Sequence, residues 1–333
     1  MQQTVFRKYL VEFEVHGDNK GTPQMTGAPL PALPAPLGFD SPPVWTGYGF
    51  RIGDSLHPVL KYPMGDSGWT TELTTFHEDI GGENHYINIA SREHALRQLE
   101  RISISTPTII DIGCSSGFLL KCIRQRFPRA IVMGSDCVLD PLERLAAQLT
   151  GIPLLHFDLV RCPLPDESVD AAVLLNVLEH VEHDDAALSQ VFRILKPGGF
   201  TVLEVPAGPK LYDIYDKQLM HHRRYELKAF LQLVREAGFE ILDQSHLGFF
   251  LYPPFWAVKK RQRRYLSETD EVQRAMIANN IRSHAYSPVL NMVMRLEARC
   301  RPAFNFPFGI RCLVVGQKPI AQSSTSPKLG PRP

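Results

Sequence analysis

Apolar and polar residues change their period twice along this chain. Near the start, Val5, Tyr9, Val11, Phe13 and Val15 share one parity, with Lys8, Glu12 and Glu14 on the other. That alternation predicts a half-buried strand, broken only by Arg7. Seven prolines between 21 and 43 then predict an extended linker, with a polyproline ligand for a partner as the sharper alternative. Residues 44–82, with Trp45, Trp69 and many glycines, show no period that assigns elements. Residues 83–101 predict an approach segment and an amphipathic helix, with Ile89, Leu96 and Leu99 inward and the charges outside.

From residue 108 onward, strands and helices alternate. A short apolar run at 108–112 leads into a glycine bend at 113–117 and a helix at 118–127 stopped by Pro128. A strand follows at 130–134, a helix at 141–149 with Pro141 near its start, and a third strand at 154–157. Asp170 to Leu175 carries the near-continuous apolar run AAVLL, as for a strand covered on both faces. A helix at 186–195 ends in Lys-Pro-Gly-Gly. After it come a strand at 200–205, a helix at 226–237 closed by Gly238, and a sixth strand opening at Glu240. This spacing implies an open, mostly parallel α/β sheet.

The stretch 247–305 is too long for a hairpin loop. LGFFLYPPFWAV (247–258) is followed at once by KKRQRR (259–264). Helices are predicted from 267 to 281 and from Ser287 with Pro288 first, the second carrying Val289, Val293 and Leu296 on one face beside Leu290 and Met294. The sharper reading is a lid that shapes a hydrophobic pocket and makes a peripheral membrane contact through 247–264. The plainer one is a helical extension with its own core and a solvated basic turn.

Composition removes several classes. Lys plus Arg number 36 against 35 Asp plus Glu in 333 residues, so there is no basic footprint and no nucleic-acid partner is expected. The six cysteines form no CxxC pair and read as reduced intracellular thiols. No signal peptide or membrane-spanning run is evident, and a cytoplasmic protein, with that peripheral membrane contact as the variant, is expected. The oligomeric state is left open.

The chemistry concentrates at strand ends, where ligands of such sheets bind. Gly113 and Gly117 fit places where a side chain would block the turn or a ligand. Asp111, on the strand before the bend, would repel a pyrophosphate, and the GxGxxG spacing is absent. A ligand carrying an ammonium and a sulfonium would suit it. Asp136, ending the next strand, can accept both hydroxyls of a ribose, and Asp158, after the third, can accept from an adenine amine. Taken singly, such aspartates also serve as helix caps.

DIGCSSG (111–117), GSD (134–136), FDLVRCPLPDESVDAAVLLNVLEHVEHDDAAL (157–188) and LKPGGFTVLEVPA (195–207), in this order, resemble the class I S-adenosylmethionine-dependent methyltransferases over about 83–250. ENHYINIASR (83–92) is similar to the E-x-x-H-aromatic approach segment of one subgroup, and DKQLMHHRRY (216–225) to its D-x-x-x-x-H-x-R-R-Y element. FPFGIRCLVVGQKP (306–319) resembles the returning strand of that fold. The resemblance implies a Rossmann-like seven-stranded, mostly parallel sheet with an antiparallel last strand. A helical lid is inserted between strands six and seven, and an N-terminal extension precedes the core. The units are 1–43, a cap segment 44–100, the core 101–246, the lid 247–305, the strand 306–320 and a tail 321–333.

It also implies S-adenosylmethionine as cofactor. Asp111, Gly113, Cys114, Ser115 and Gly117 would hold its methionine end, Asp136 and Cys137 the ribose, and Asp158 and Leu159 the adenine. Asn176 and Val177 would lie beneath the methionine moiety, and His85, Tyr86 and Arg92 would close the pocket, Arg92 pairing with the cofactor carboxylate. Ser115 departs from the glycine common at its position. The candidate catalytic residues are His221, His180 and Tyr225, with His222 beside them and Arg224 lining the acceptor. His180 also reads as a loop-orienting residue, and His221 and Arg224 as a salt-bridged belt with Asp216. Some relatives coordinate a metal through E-x-x-E-H; here Asn176 replaces the first acid, and no metal is expected. The implied activity is in-line methyl transfer to a small-molecule or lipid-like acceptor, oxygen favoured. A non-catalytic interaction module and a nicotinamide oxidoreductase are the alternatives.

Overall fold

The computed structural model describes residues 30–65, 70–74, 82–282 and 287–320. The strand expected at 4–16, Trp69 and the tail after 320 lie outside the described residues.

The unassigned stretch after residue 43 supplies four short strands, β1 Val44–Trp45, β2 Phe50–Ile52, β3 Ser55–His57 and β4 Val59–Lys61. Helix α1, Tyr86–Leu99, then enters the alternating core of β5 Thr108–Ile112, α2 Phe118–Arg126, β6 Ile131–Asp136, α3 Leu139–Gln148 and β7 Leu154–His156. β8 Val169–Leu175, α4 Asp184–Ile194, β9 Leu195–Pro206, α5 Ile214–Gln218, α6 Leu227–Glu236 and β10 Glu240–Leu247 continue it. Three helices, α7 Tyr252–Gln262, α8 Asp270–Arg282 and α9 Pro288–Cys300, precede the last strand, β11 Arg311–Gln317.

β1 to β3 form a small antiparallel sheet, and the main sheet runs β10-β11-β9-β8-β5-β6-β7-β4. β11 is antiparallel to both neighbours, β10 and β9, and the other pairings are parallel. The sheet therefore has eight strands, not seven. The eighth, β4, adds Val59 and Leu60 beside Leu154 and Leu155 of β7. Three residues are too short for a period to appear, and hydrogen bonding to an existing edge makes the strand. Both faces are covered, which is why Ile109, Ile110, Ala171, Ala172 and Val173 are fully buried and their strands read as unbroken apolar runs.

Four expectations shift. The Pro-rich segment docks where it is described: Leu33 is buried, the Tyr62 hydroxyl donates to the Pro34 carbonyl at 3.0 Å, and the Leu37 amide to Lys61. Helix α1 buries Ile87, Ala90, Ser91, His94, Ala95, Gln98 and Leu99, so Ile89 and Leu96 stand at the margin, because small and polar side chains suit the close approach to the sheet. The Lys-Pro-Gly-Gly run starts β9 rather than ending a helix; Leu195 pairs with Val169. Helix α9 buries Met294 and Glu297 and leaves Val289 and Leu296 more than half exposed, because Glu297 is drawn inward to accept the Gly248 and Phe250 amides at 2.7 and 3.1 Å.

The three-helix insertion is anchored twice. Leu251, Met294 and Ile310 form one apolar cluster with Ile87 and Ala90 of α1 and Leu247 and Leu313 of the sheet. The second anchor is ionic: Lys259 of α7, the first base of KKRQRR, is 4% exposed and reaches Asp213 and Asp216 at 2.7 and 3.0 Å. The basic run is thus split between an inward lysine and outward Lys260, Arg261, Arg263 and Arg264. Among the described residues no helix is long and apolar enough to cross a membrane.

Because β4 closes the sheet edge with Leu60 in the core, Leu60→Ala should cost about 2–5 kcal/mol of stability in urea denaturation. A loss below about 1 kcal/mol would show that the N-terminal strands are not part of the cooperative unit.

Candidate active site

The parallel strands end on one side of the sheet and bring the predicted acids together there. Asp111 is 3% exposed within β5. Burial, and secondarily the charge of Asp136, raise its pKa from 3.8 to about 8. Asp136 ends β6; one of its oxygens accepts the Ser115 amide at 2.9 Å and the other the Val138 amide at 2.9 Å. The bend is folded back onto β6, since the Gly113 and Cys114 amides both donate to the Ser135 carbonyl. Gly113 and Gly117 have φ of 77° and 73°. A Cβ at Gly113 would lie 2.6 Å from Val177 Cγ2, so the methyl group of an alanine would collide with the loop after β8. Ser115 accepts a left-handed φ of 46° where glycine would carry no strain, and Cys114 is buried behind the bend with its thiol pKa well raised.

The adenine-side residues sit farther along the sheet. Asp158 caps the turn Leu159–Arg161, accepting the Val160 amide at 3.1 Å; Leu159 is buried in the core. An ideal Cβ on Gly65 would lie 2.5 Å from Asp158 Oδ2, so the cap segment crosses this carboxylate closely. That approach has no signal in the irregular stretch before residue 82. Cys137 is half-buried, its carbonyl 3.2 Å from His156 Nε2.

At the other end, Asn176 takes a left-handed φ of 56° and its amide donates to Glu204 Oε1 at 3.0 Å. Glu204, fully buried on β9, also pairs with Arg311 of β11 and accepts from Ser91 of α1. Arg311 binds Asn88 as well, tying α1 to the sheet. Glu204 lies within the segment 195–207 and Arg311 within 306–319, but the resemblance assigns neither a role at the site, and only the strand pairing places them beside Asn176. Tyr86 is largely buried, which raises its pKa against the lowering by Arg311, and its ring packs on His85 at 4.3 Å. Arg92 donates to the Glu83 carbonyl and lies over the Phe118 ring at 5.8 Å, at the start of α2 just beyond the glycine bend.

The candidate catalytic residues divide. His221 is 8% exposed, with Nδ1 2.8 Å from Asp216 Oδ1. Asp216 also receives Arg224 at 2.8 Å and Lys259 at 3.0 Å. Burial would raise its pKa, but Lys259 and Arg224 hold it well below the ordinary range. Burial lowers the His221 pKa, so the imidazole is neutral at pH 7, Nδ1 carries the proton toward Asp216, and Nε2 presents a lone pair. His180 packs edge-on against it, ring centroids 4.7 Å apart. Beside them Glu179 is 1% exposed with neither oxygen hydrogen-bonded to another residue, and burial raises its pKa from 4.5 to about 8.

The Tyr225 hydroxyl is engaged within the fold. Its hydroxyl lies 2.8 Å from Asp184 and 3.1 Å from the Leu178 carbonyl, and burial drives its pKa far upward. It braces the turn after β8 against α4. His222 is exposed, its amide donating to the Glu179 carbonyl.

Residues 110–203 match the family model described as a methyltransferase domain. A probable S-adenosylmethionine-dependent methyltransferase of Mycolicibacterium smegmatis is 30% identical over 144 residues, 43% of this chain and 54% of its own. The ubiquinone biosynthesis O-methyltransferase of Pseudomonas fluorescens is 27% identical over 43% of this chain and 69% of its own. The chain thus spans about half the length of the mycobacterial relative. A structure from Galdieria sulphuraria, assigned as a sarcosine dimethylglycine methyltransferase, superposes with a TM-score of 0.52 at 14% identity, covering 74% of this chain and 98% of that one; it shares the fold. S-adenosylmethionine is the cofactor that goes with this domain.

The raised pKa of Asp111 gives a prediction with a definite sign. The folded chain holds a proton that the unfolded chain releases between about pH 4 and 8, so the stability from that proton is lost as pH rises through this window. Asp111→Asn should therefore stabilise the ligand-free protein at pH 9 relative to wild type, with the gain shrinking toward pH 5, and should abolish S-adenosylmethionine binding. Wild-type affinity should rise with pH up to about 8, with proton release visible by calorimetry in buffers of different ionisation enthalpy. Equal stability of both proteins at pH 9 would contradict the assignment.

Proposed function

For a chain that carries an S-adenosylmethionine-dependent methyltransferase domain over residues 110–203, we propose transfer of the sulfonium methyl group to an oxygen of a small-molecule or lipid-like acceptor. The observation that carries this reading is one short connection. Val177 packs on Gly113 of the bend, and the next three residues, Leu178–His180, lead straight to Glu179, His180 and His221. A group able to take a proton therefore lies within one turn of the place assigned to the cofactor's methionine end.

In this reading Asp111 meets the ammonium, Asp136 the ribose hydroxyls and Asp158 the adenine amine. Gly113 and Val177 leave the methyl group facing the Glu179–His180–His221 side. Holding acceptor and methyl group about 3–3.5 Å apart and in line supplies most of the acceleration. His221, oriented by Asp216, takes the acceptor's proton as the oxygen attacks, and the sulfonium leaves as a neutral thioether. Tyr215 and Phe255, which lie against Lys259, and Tyr86 give the acceptor site aromatic walls. The insertion acts as its lid. The outward Trp256, Lys260, Arg261 and Arg264 of its first turns suit an approach to an anionic membrane surface, where a lipid-like acceptor would be met.

The test is methyl-labelled cofactor offered to small-molecule, lipid and protein pools. Label is expected in a base-stable ether of the small-molecule or lipid pool; label confined to protein would overturn the acceptor class. His221→Asn should lower turnover about 10²–10⁴-fold while leaving cofactor affinity within about twofold. Unchanged turnover would remove His221 from the mechanism.

A further inference from the structure

Glu179, His180 and His221 each place one donor atom within 4.8 Å of the other two. They come from two segments, the turn after β8 and the end of the α5 loop, so the cluster exists only in the folded chain. Glu179 is the telling member. It is 1% exposed and neither oxygen has a hydrogen-bond partner. A buried carboxyl group without a partner is unfavourable in either protonation state, and such groups are ordinarily paired or bound to a metal.

The surroundings are those of an ion site. His221 gives its Nδ1 proton to Asp216, the carboxylate–histidine arrangement that fixes a ligating imidazole and raises its basicity. Asp216 is itself immobilised by Arg224 and Lys259.

We infer that Glu179, His180 and His221 bind a divalent first-row transition ion, with Asp216 as the positioning residue behind His221. Two imidazoles and one carboxylate suit zinc, iron or manganese, whereas magnesium and calcium favour all-oxygen shells. The expectation of no metal considered only the stretch 176–180. There Asn176 is not a carboxylate and its amide is taken by Glu204, but His221, distant in sequence, supplies the third donor. Three protein ligands leave coordination positions open. The role of the ion, unlike its binding, rests on the methyl-transfer reading. With the ion bound, His221 Nε2 would be a ligand and not the base, and the ion would instead lower the pKa of a coordinated acceptor hydroxyl so that its proton passes to water before the oxygen takes the methyl group.

The full-length chain, stripped with chelator, is titrated with Mn²⁺ and followed by electron paramagnetic resonance, then with Zn²⁺ by calorimetry. One ion per chain is expected. Glu179→Gln and His180→Asn should each weaken binding about 100-fold or more, and Asp216→Asn about 10–100-fold. S-adenosylmethionine binding and the thermal midpoint, measured on the same samples, identify any variant that fails to fold, and Glu179→Gln, the nearest in shape, then decides with His180→Asn. Wild-type affinity no tighter than that of a folded Glu179→Gln overturns the site, and Mg²⁺ competing at equal concentration overturns the ion class. These titrations contain no acceptor, so failure of the methyl-transfer reading would appear separately, as absent cofactor binding or turnover.

Discussion

Asp216 has no contact with solvent, and a carboxylate so placed must be neutralised and hydrogen-bonded or lose its charge. Its partners come from separate parts of the chain. Arg224 and His221 belong to the segment that follows α5, Lys259 to the inserted α7, and the Asp213 amide closes a capping box on α5. Satisfying this one charge therefore sets the seat of the insertion, the tautomer of His221 and the direction in which its free nitrogen points. The interaction is a poor source of net stability, because desolvation offsets most of the attraction. What it contributes is geometry, since Arg224, His221 and Lys259 are each held in place by the same carboxylate.

The cofactor end obeys the opposite logic. Asp111 is buried and forms no ion pair among the described residues, and its pKa climbs to about 8. In the proposed reading, a bound ammonium would relieve the cost of that burial. Stability is lower than it could be at the position where ligand binding gains most, the usual exchange between a strained site and its function. One half of the cleft is thus pre-neutralised by the chain's own cations, and the other is left for the ligand to neutralise. The turn after β8 joins the halves, with Val177 filling the space that Gly113 leaves open.

Much of the core could be read from pattern. The buried runs at 108–112 and 170–175 are legible because strands covered on both faces place apolar residues at consecutive positions, around Asp111 in the first and after Asp170 in the second. The bend at Gly113 and Gly117 carries its positive φ values visibly in the residue types. Helix faces were read less well. Ile89, Leu96, Val289 and Leu296 are apolar yet marginal or exposed, while Ser91, Gln98 and Glu297 are buried because each meets a specific polar partner in another element. Periodicity sees hydrophobicity, not the availability of a distant hydrogen-bond donor. Tyr225 shows the same limit: its hydroxyl looks free in a string, and in the fold it is bound to Asp184 and the Leu178 carbonyl.

The sequence by itself determined the parallel α/β core, the glycine bend and the order of the strand-end acids. These follow from local chemistry: apolar runs, backbone conformations that need glycine, and acids a few residues from strand ends. Only the tertiary structure decided the eighth strand at 59–61, the inward turn of Lys259 and the meeting of Glu179 and His180 with His221. Each depends on groups tens of residues apart finding a shared buried space, where an unpaired charge is costly, and no pattern along the chain records which partner arrives.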